Sequence, residues 1–332
     1  MSAKERHMDI SVIVCTYNRA DMLRRALASL AIQNLPDGLN YEVVVVDDGS
    51  TDATAEVIRE AKRCTDRPVV HLRENGIGIS AARNAGVRAA RGTWLAFTDD
   101  DQIADSAWLR NLCYTQQQTN ANAIGGARML ELPARVLAGL PRQIRLILGE
   151  IEASGAPHVC SRDALVCTGN LLIRRALVEE LGGFDESLTQ GGEDTDLFMR
   201  LRRAGHECWF TPYALVHHII PEYRLESAYL LWASLRGGDC YARRDLREWG
   251  ILFTWFACIA RVSHGISRHV PALLLARLQR DEAKALASRC SLWRVWGYAK
   301  RVAQMSVPSV AGASSEASAI DFRSERKLFH NS

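Results

Sequence analysis

The first hundred residues alternate between short apolar runs and longer amphipathic stretches. Ile10–Cys15 is a β-branched run with the look of a buried parallel strand. Ala20–Gln33 then sets Met22, Leu23, Ala26, Leu27 and Leu30 at helical spacing, with Asn18 or Asp21 able to cap. A second strand, Glu42–Val46, runs into Asp47-Asp48-Gly49-Ser50-Thr51-Asp52 and a helix over Ala53–Arg63. A third, Val69–Leu72, leads through a Gly-rich turn into an Ala-rich helix, Ile79–Ala90, and a fourth, Trp94–Phe97, ends in Thr98-Asp99-Asp100-Asp101. Four strand-to-helix units predict an α/β, Rossmann-like domain, a mostly parallel sheet with helices on both faces. Ligands of such sheets bind beyond the carboxyl ends of the strands. Thr16–Arg19, Asp47–Asp52 and Asp99–Asp101 are therefore expected along one edge.

The middle of the chain is less regular. Ala123–Leu132 reads as a strand, Val136–Ile151 as an amphipathic helix or flap, and Leu165–Ile173 as a strand interrupted by Gly169. A helix over Asp194–Ala204 carries Leu197, Phe198 and Leu201 on one face and stops at Gly205. Short strands, Cys208–Phe210 and Ala214–His218, flank Pro212. Beyond Pro221 the pattern turns helical, and 306–332, rich in Ser and Ala before a charged end, reads as a disordered tail. The expected division is 1–220 for the α/β domain, 221–305 for a helical extension and 306–332 for the tail.

Composition narrows the choice of class. The 332 residues are 48% hydrophobic and 24% charged, ordinary values for a globular protein. A net charge of +3 is too small to point to nucleic acid, and no nucleic-acid partner is expected. The basic excess is local: Pro221–Arg301 holds fourteen Lys or Arg against seven Asp or Glu. Nine cysteines, with no pair spaced C-x-x-C, argue against a zinc ribbon or a disulfide framework and fit a reducing compartment. The polar start lacks a signal-peptide core, and the longest apolar run, Ile251–Ala260, falls short of the roughly 20 residues a bilayer span needs. A cytoplasmic location is expected, with room for peripheral contact with a membrane.

Several of these residues could carry chemistry. Three successive carboxylates at Asp99–Asp101 repel one another unless a cation neutralises them, and a hard Mg²⁺ or Mn²⁺ is the natural partner. An isolated acidic turn would more often be a solvated helix cap; the buried strand before this one favours a metal. Asp48 sits in a good turn sequence, but one carboxylate suffices for the cap, which leaves the other to accept from a base or ribose. Glu193-Asp194 opens a helix, where acidic residues suit the dipole, so a cap and a general base are both open readings. His217-His218 follows a short strand and could complete a metal shell. Gly76-Ile77-Gly78-Ile79-Ser80-Ala81 matches the dinucleotide pattern G-x-G-x-x-A, with Asp99 at the expected distance. Arg73, Glu74 and Asn75 separate it from the strand, however, and it follows the third strand rather than the first. A plain turn leading to Arg83 is preferred.

In order along residues 9–220, Ser11–Arg19, Val46–Asp52, Asn75-Gly76, Ala82–Gly86, Phe97–Asp101, Thr168–Asn170, Gly182–Glu186, Gly192–Asp194 and His217 together resemble family 2 glycosyltransferases of the GT-A fold. The resemblance implies a nucleotide-sugar donor, with a uridine diphosphate sugar the commonest choice, and a glycan or lipid-linked acceptor, as in polysaccharide biosynthesis. It implies that Thr16, Tyr17 and Arg19 line the nucleotide pocket, that Asp48 reads the base and that Arg83 lies near the nucleotide or its phosphates. Asp99 and Asp101 match the D-x-D pair that holds Mn²⁺ or Mg²⁺ against the diphosphate, with Asp100 able to replace either. Asp194, beside Glu193, matches the catalytic base of an inverting single displacement. Gly169-Asn170 would lie where donor sugar and acceptor meet, and His217 resembles a third metal contact.

The helical extension mixes Trp and Leu with Arg, as in Tyr229–Leu235, Leu252–Ile259 and Leu273–Leu278. A helical cap is the simpler reading; a surface for anionic headgroups is the sharper one. The competing functions are an NAD-type dehydrogenase, a sugar nucleotidyltransferase and an inactive nucleotide-sugar-binding protein. A nucleotidyltransferase would want a Gly-rich loop after the first strand, and Thr16–Arg19 is not one.

Overall fold

The computed structural model describes residues 8–161, 167–188 and 191–306. The expected tail lies almost wholly outside them, as does the first part of the strand expected over Leu165–Ile173. The described chain divides into two compact units, 8–131 with 151–219 and 132–150 with 220–306.

The first unit is built on one sheet of nine strands. These are β1 (Ile10–Thr16), β2 (Tyr41–Asp47), β3 (Val69–Arg73), β4 (Trp94–Thr98), β5 (Gln102–Ala104), β6 (Ala123–Glu131), β7 (His158–Val159), β8 (Asn170–Arg174) and β9 (Cys208–Ile219). Their order is β3-β2-β1-β4-β8-β6-β9-β5, with β7 on β9. The first four strands pair in parallel, as expected. The later half is mixed: β8 runs antiparallel to β4 and β6, while β6 and β9 are parallel.

Period-two alternation explains why these runs form central strands. In β1 and β2, Val12, Val14, Val43 and Val45 enter one core with Leu23 and Leu27 of α1 (Ala20–Ala31), Val57 of α2 (Thr54–Cys64) and Leu112 of α4 (Trp108–Thr119). Ile13, Val44 and Val46 face the other core with Ala82 and Ala85 of α3 (Ile79–Ala89) and Leu177 of α7 (Arg175–Glu180). Leu197 and Leu201 of α8 (Glu193–Arg203) share that core. Helices thus cover both faces, and each fully buried Val or Leu stabilises the sheet by about 1.5–3 kcal/mol.

Where the sequence suggested two strands flanking Pro212, a single strand, β9, runs through. Its register against β6 slips at Gly126/Ala127, so that Pro212 falls in an irregularity where its missing N–H leaves no gap in the ladder.

In the second unit, the stretch expected to be one helix or flap forms two short helices, α5 (Ala134–Gly139) and α6 (Arg142–Ile147), each entered through a proline. The extension is helical: α9 (Ser227–Leu278), broken at Gly250 (φ 74°, ψ 177°), then α10 (Glu282–Ser306). Only glycine takes that φ without strain. Asp245, fully buried, ties the helices together by accepting from Tyr298 Oη and Arg261 Nη2, each at 2.8 Å, and from its neighbour Arg244.

Candidate active site

The carboxyl ends of β1, β2 and β4 meet at one edge, as strand order demands. At the tip of β1, Thr16 Oγ1 donates to Asp100 Oδ2 at 2.8 Å, and Arg19 Nη1 donates to Asp100 Oδ1 (2.9 Å) and Asp101 Oδ2 (3.1 Å). All four side chains are buried. Burial raises the Asp100 pKa and Asp101 adds to the rise, while Arg19 and Thr16 oppose it. Thr16 and Arg19, expected to line a nucleotide pocket, and Asp100, expected to stand in for Asp99 or Asp101 at the diphosphate, are thus occupied in holding the acidic turn in shape. Tyr17 follows at the strand end, half-buried.

The paired carboxylates after β2 divide their tasks. Asp47 is structural: it accepts from Ser50 N–H at 2.8 Å and Arg73 Nη1 at 2.9 Å, and its side chain is fully buried. Asp48 Oδ1 and Oδ2 accept from the backbone N–H groups of Ile77 (2.7 Å) and Gly78 (3.1 Å). The Gly76–Gly78 turn, with both glycines at positive φ, therefore serves to aim Asp48. In a dinucleotide fingerprint those N–H groups would face pyrophosphate; here a carboxylate takes them, and the dehydrogenase alternative loses its phosphate site.

Beyond β4 lies the third cluster. Arg83, buried in α3, donates to Glu193 Oε1 at 2.5 Å and sits 3.6 Å from Asp99 Oδ1, with its guanidinium over the Phe184 ring. Burial works against its charge, but Glu193 and Asp99 together raise its pKa, so it stays cationic. Glu193 Oε2 is buried without a hydrogen-bond partner among the described residues. Asp194 sits at the start of α8 and accepts from Thr195 N–H at 2.7 Å. Desolvation, then the adjacent Glu193 charge, pushes its pKa up to about 6 against the opposing pull of Arg83. A carboxylate poised near neutrality beside a fixed cation is what general-base chemistry asks for.

Asp99 is the open member of the triplet, its side chain 36% exposed, with Gln102 Nε2 at 3.2 Å. Gly169 comes so close that a Cβ there would lie 2.5 Å from Asp99 Oδ2 and 3.0 Å from Arg128 Nη1. The conformational reading of Gly169 as a break in a strand thus gives way to a close approach.

Two expected site residues are placed elsewhere. Asn170 is turned inward, its amide bonded to Trp108 Nε1 (2.7 Å) and the carbonyls of Ala127 (2.7 Å) and Ala214 (2.9 Å), so it pins the sheet. His217 lies beside Glu131, at 3.8 Å, whereas His218 Nε2 is 3.4 Å from Asp101 Oδ2. Alternation along β9 sends the two histidines to opposite faces, and His218 is the one on the acidic side. Arg128, Gln102 and Cys15 were not foreseen. Arg128 interrupts the apolar pattern of β6, and Gln102 follows Asp99 by three residues; both were visible signals. Cys15, held as a thiol by burial that raises its pKa to about 12, ends an apolar run and gave none.

Among the described residues no three His, Cys, Asp or Glu side chains form a closed metal cage. The donor set fits another kind of site. Mg²⁺ and Mn²⁺ take one or two protein carboxylates and fill their shells with phosphate oxygens and water, and Asp99 and Asp101 offer hard oxygen donors at the same edge, with the borderline nitrogen of His218 beside Asp101.

Residues 11–182 match the family described as Glycosyl transferase family 2. The chain is 32% identical to the succinoglycan biosynthesis protein ExoM of Rhizobium meliloti over 84% of its own length and 89% of that protein's. It is 30% identical to the glycosyltransferase AglE of Haloferax volcanii over 60% of its length and 64% of AglE. Among solved structures it resembles the mannosyltransferase PcManGT of Pyrobaculum calidifontis in complex with GDP-Man and Mn²⁺, with TM-score 0.54 and 19% identity over 97% of this chain and 83% of that one. It also resembles S. aureus TarS, with TM-score 0.51 and 18% identity over 85% of this chain and 55% of that one. The α/β sheet with its strand-end acidic clusters is thus a GT-A fold, and the chain belongs to glycosyl transferase family 2, as a glycosyltransferase.

Proposed function

We propose that this enzyme moves a sugar from a nucleoside-diphosphate donor to an acceptor hydroxyl by a single, inverting displacement, with Asp194 as base. The observation that carries the reading is the carboxylate cluster in which Arg83 holds Glu193 and Asp99 next to Asp194, whose pKa burial and the Glu193 charge push up to about 6. Neutral pH leaves it ionised yet basic enough to take a proton.

Asp48, aimed by the Ile77 and Gly78 amides, is suited to accept from the base or ribose of the donor. Asp99 and Asp101, with His218, would hold a divalent ion, and that ion when bound would neutralise charge on the leaving diphosphate. Arg83 balances the carboxylates around it, and Glu193 keeps one oxygen for a donor-sugar hydroxyl. As the acceptor oxygen bonds to the anomeric carbon, the bond to the diphosphate breaks and Asp194 receives the hydroxyl proton. The hydroxyl is weakly acidic, so that proton leaves late, as the new C–O bond forms.

A nucleotide-sugar donor is supported by the complexes of related folds: TarS with UDP and with UDP-GlcNAc, and PcManGT with GDP-Man and Mn²⁺. The acceptor we assign is a glycan or lipid-linked saccharide, and the name of ExoM points to polysaccharide synthesis. A thermal-shift panel of nucleoside diphosphates and their sugars, with and without Mn²⁺, tests the reading. One donor class should raise the melting temperature in a metal-dependent way, and no shift with any of them would overturn it.

A further inference from the structure

The second segment of α9, after Gly250, is built the wrong way round for a helix that ends in water. Its buried stripe is small or polar: Thr254, Cys258, Gly265 and Ala276. The opposite stripe, at steps of three and four, is apolar and bare. Leu252 is 72% exposed, Phe256 71%, Ile259 62% and Leu278 83%, with Val270 and Leu274 between them. A surface helix of a soluble protein puts such residues inward. On α10, Trp296 is 60% exposed as well. A contiguous apolar face of this kind marks an interaction site.

Charge tells what it fits. Trp249–Ser306 contains nine Lys or Arg, and its only acidic residues are Asp281 in the turn between the helices and Glu282 at the start of α10. Arg261 and Arg301 pair with Asp245 and Asp239 of the first segment. Arg268, Arg277, Arg280, Arg289 and Lys300 have no carboxylate partner among the described residues. A second copy of this chain would bring the same positive excess to the contact and be repelled. An anionic bilayer surface supplies both needs, phosphates for the cations and acyl chains for Leu and Phe. No described helix is long and apolar enough to cross a membrane, so the contact lies in the plane of the interface.

We propose that α9 beyond Gly250, with α10, docks on anionic lipid headgroups by inserting the Leu252–Leu278 stripe. Vesicle binding requires neither donor nor metal, so it stands or falls separately from the transfer chemistry. The test is flotation of the full chain with vesicles of about 3:1 phosphatidylcholine to phosphatidylglycerol, against phosphatidylcholine alone. Binding should be at least about tenfold stronger to the anionic vesicles and weaken as salt rises from about 0.1 M to about 1 M. Leu252→Ser with Phe256→Ser should lose at least about tenfold, and Arg277→Glu with Arg280→Glu a similar factor. If the serine pair fails to fold by circular dichroism, the charge reversal decides alone. No binding to anionic vesicles, or undiminished binding by the folded variants, overturns the proposal. So does a stable dimer in solution that the serine pair converts to monomer without any lipid binding.

Discussion

At the amino ends of the strands, Glu42 of β2 is fully buried, and at the carboxyl ends Asp48, Asp100, Asp101 and Glu193 are nearly so. The two edges of one sheet bury acid to similar depth. Their bookkeeping of hydrogen bonds differs. Glu42 Oε1 accepts from Ser11 Oγ (2.7 Å) and Arg91 N–H (2.8 Å), and Oε2 accepts from Arg91 Nε (2.8 Å) and Nη2 (2.6 Å). Both oxygens are filled, by a single arginine and a serine. At the other edge Glu193 keeps an empty oxygen, Asp99 is open to solvent, and Asp194 is pushed towards neutrality. Burial of a carboxylate therefore does not mark function. Unfilled acceptor capacity, held in place by a satisfied frame, is what sets the proposed site apart.

Substitutions at the two edges should consequently separate activity from stability. The largest effect is expected from Asp194→Asn, which should lower the transfer rate by about 10²–10⁴-fold at saturating donor while leaving the circular dichroism spectrum unchanged. Glu42→Ala should do the reverse. It strands Ser11 and the Arg91 amide and should cost about 2–4 kcal/mol in denaturant unfolding, with kcat unchanged well below the melting point. If Glu42→Ala abolished transfer without loss of stability, the contrast between the edges would fail.

Acidity gives a smaller and more specific effect. Because the Asp194 value is raised to about 6, the proposed base should be lost as pH falls through that point, and the rate should drop about tenfold per unit below it. Glu193→Gln removes the second cause of the rise, so the acid limb should move to lower pH, by roughly half a unit to one unit. A limb that stayed in place would exclude Asp194 as the titrating group. The smallest effect concerns stability. A folded-state value above the unfolded one means that ionised Asp194 costs stability: the cost is full above about pH 6, falls between there and the ordinary carboxylate value of 3.8, and is gone below it. Asp194→Asn should therefore melt roughly 2–4 °C higher than wild type at pH 8, with about half of that gain left at pH 5 and little of it below about pH 4. A mere helix cap would show no such gain.

Much of this was legible in the chain. The β-branched runs of β1 and β2 and the helical spacing in α1 declared a parallel core, because parallel strands buried on both faces need continuous apolar sequence. The acidic clusters then fell at one edge by topology alone. What sequence could not convey was direction. Thr16 and Arg19 turn to Asp100 and Asp101, and Asn170 turns to Trp108, because a strand-end side chain goes wherever an unsatisfied partner lies, often across about 80 residues of chain. The choice between His217 and His218 hung on the register of β9, which slips near Pro212. In α9, the mix of Trp, Leu and Arg was plain, but only the packed stripe of Thr254, Cys258 and Gly265 showed that its large apolar residues face outward.

The central claim is that the open edge binds donor through Asp48 and acts on acceptor through Asp194. Calorimetric titration of the donor selected by thermal shift, with Mn²⁺, into wild type, Asp48→Ala and Asp194→Asn tests it most directly. Wild type and Asp194→Asn should bind within about threefold of each other, and Asp48→Ala at least about tenfold more weakly, as loss of hydrogen bonds from a charged acceptor implies. Equal loss in Asp194→Asn and Asp48→Ala would make Asp194 a donor ligand and contradict the account.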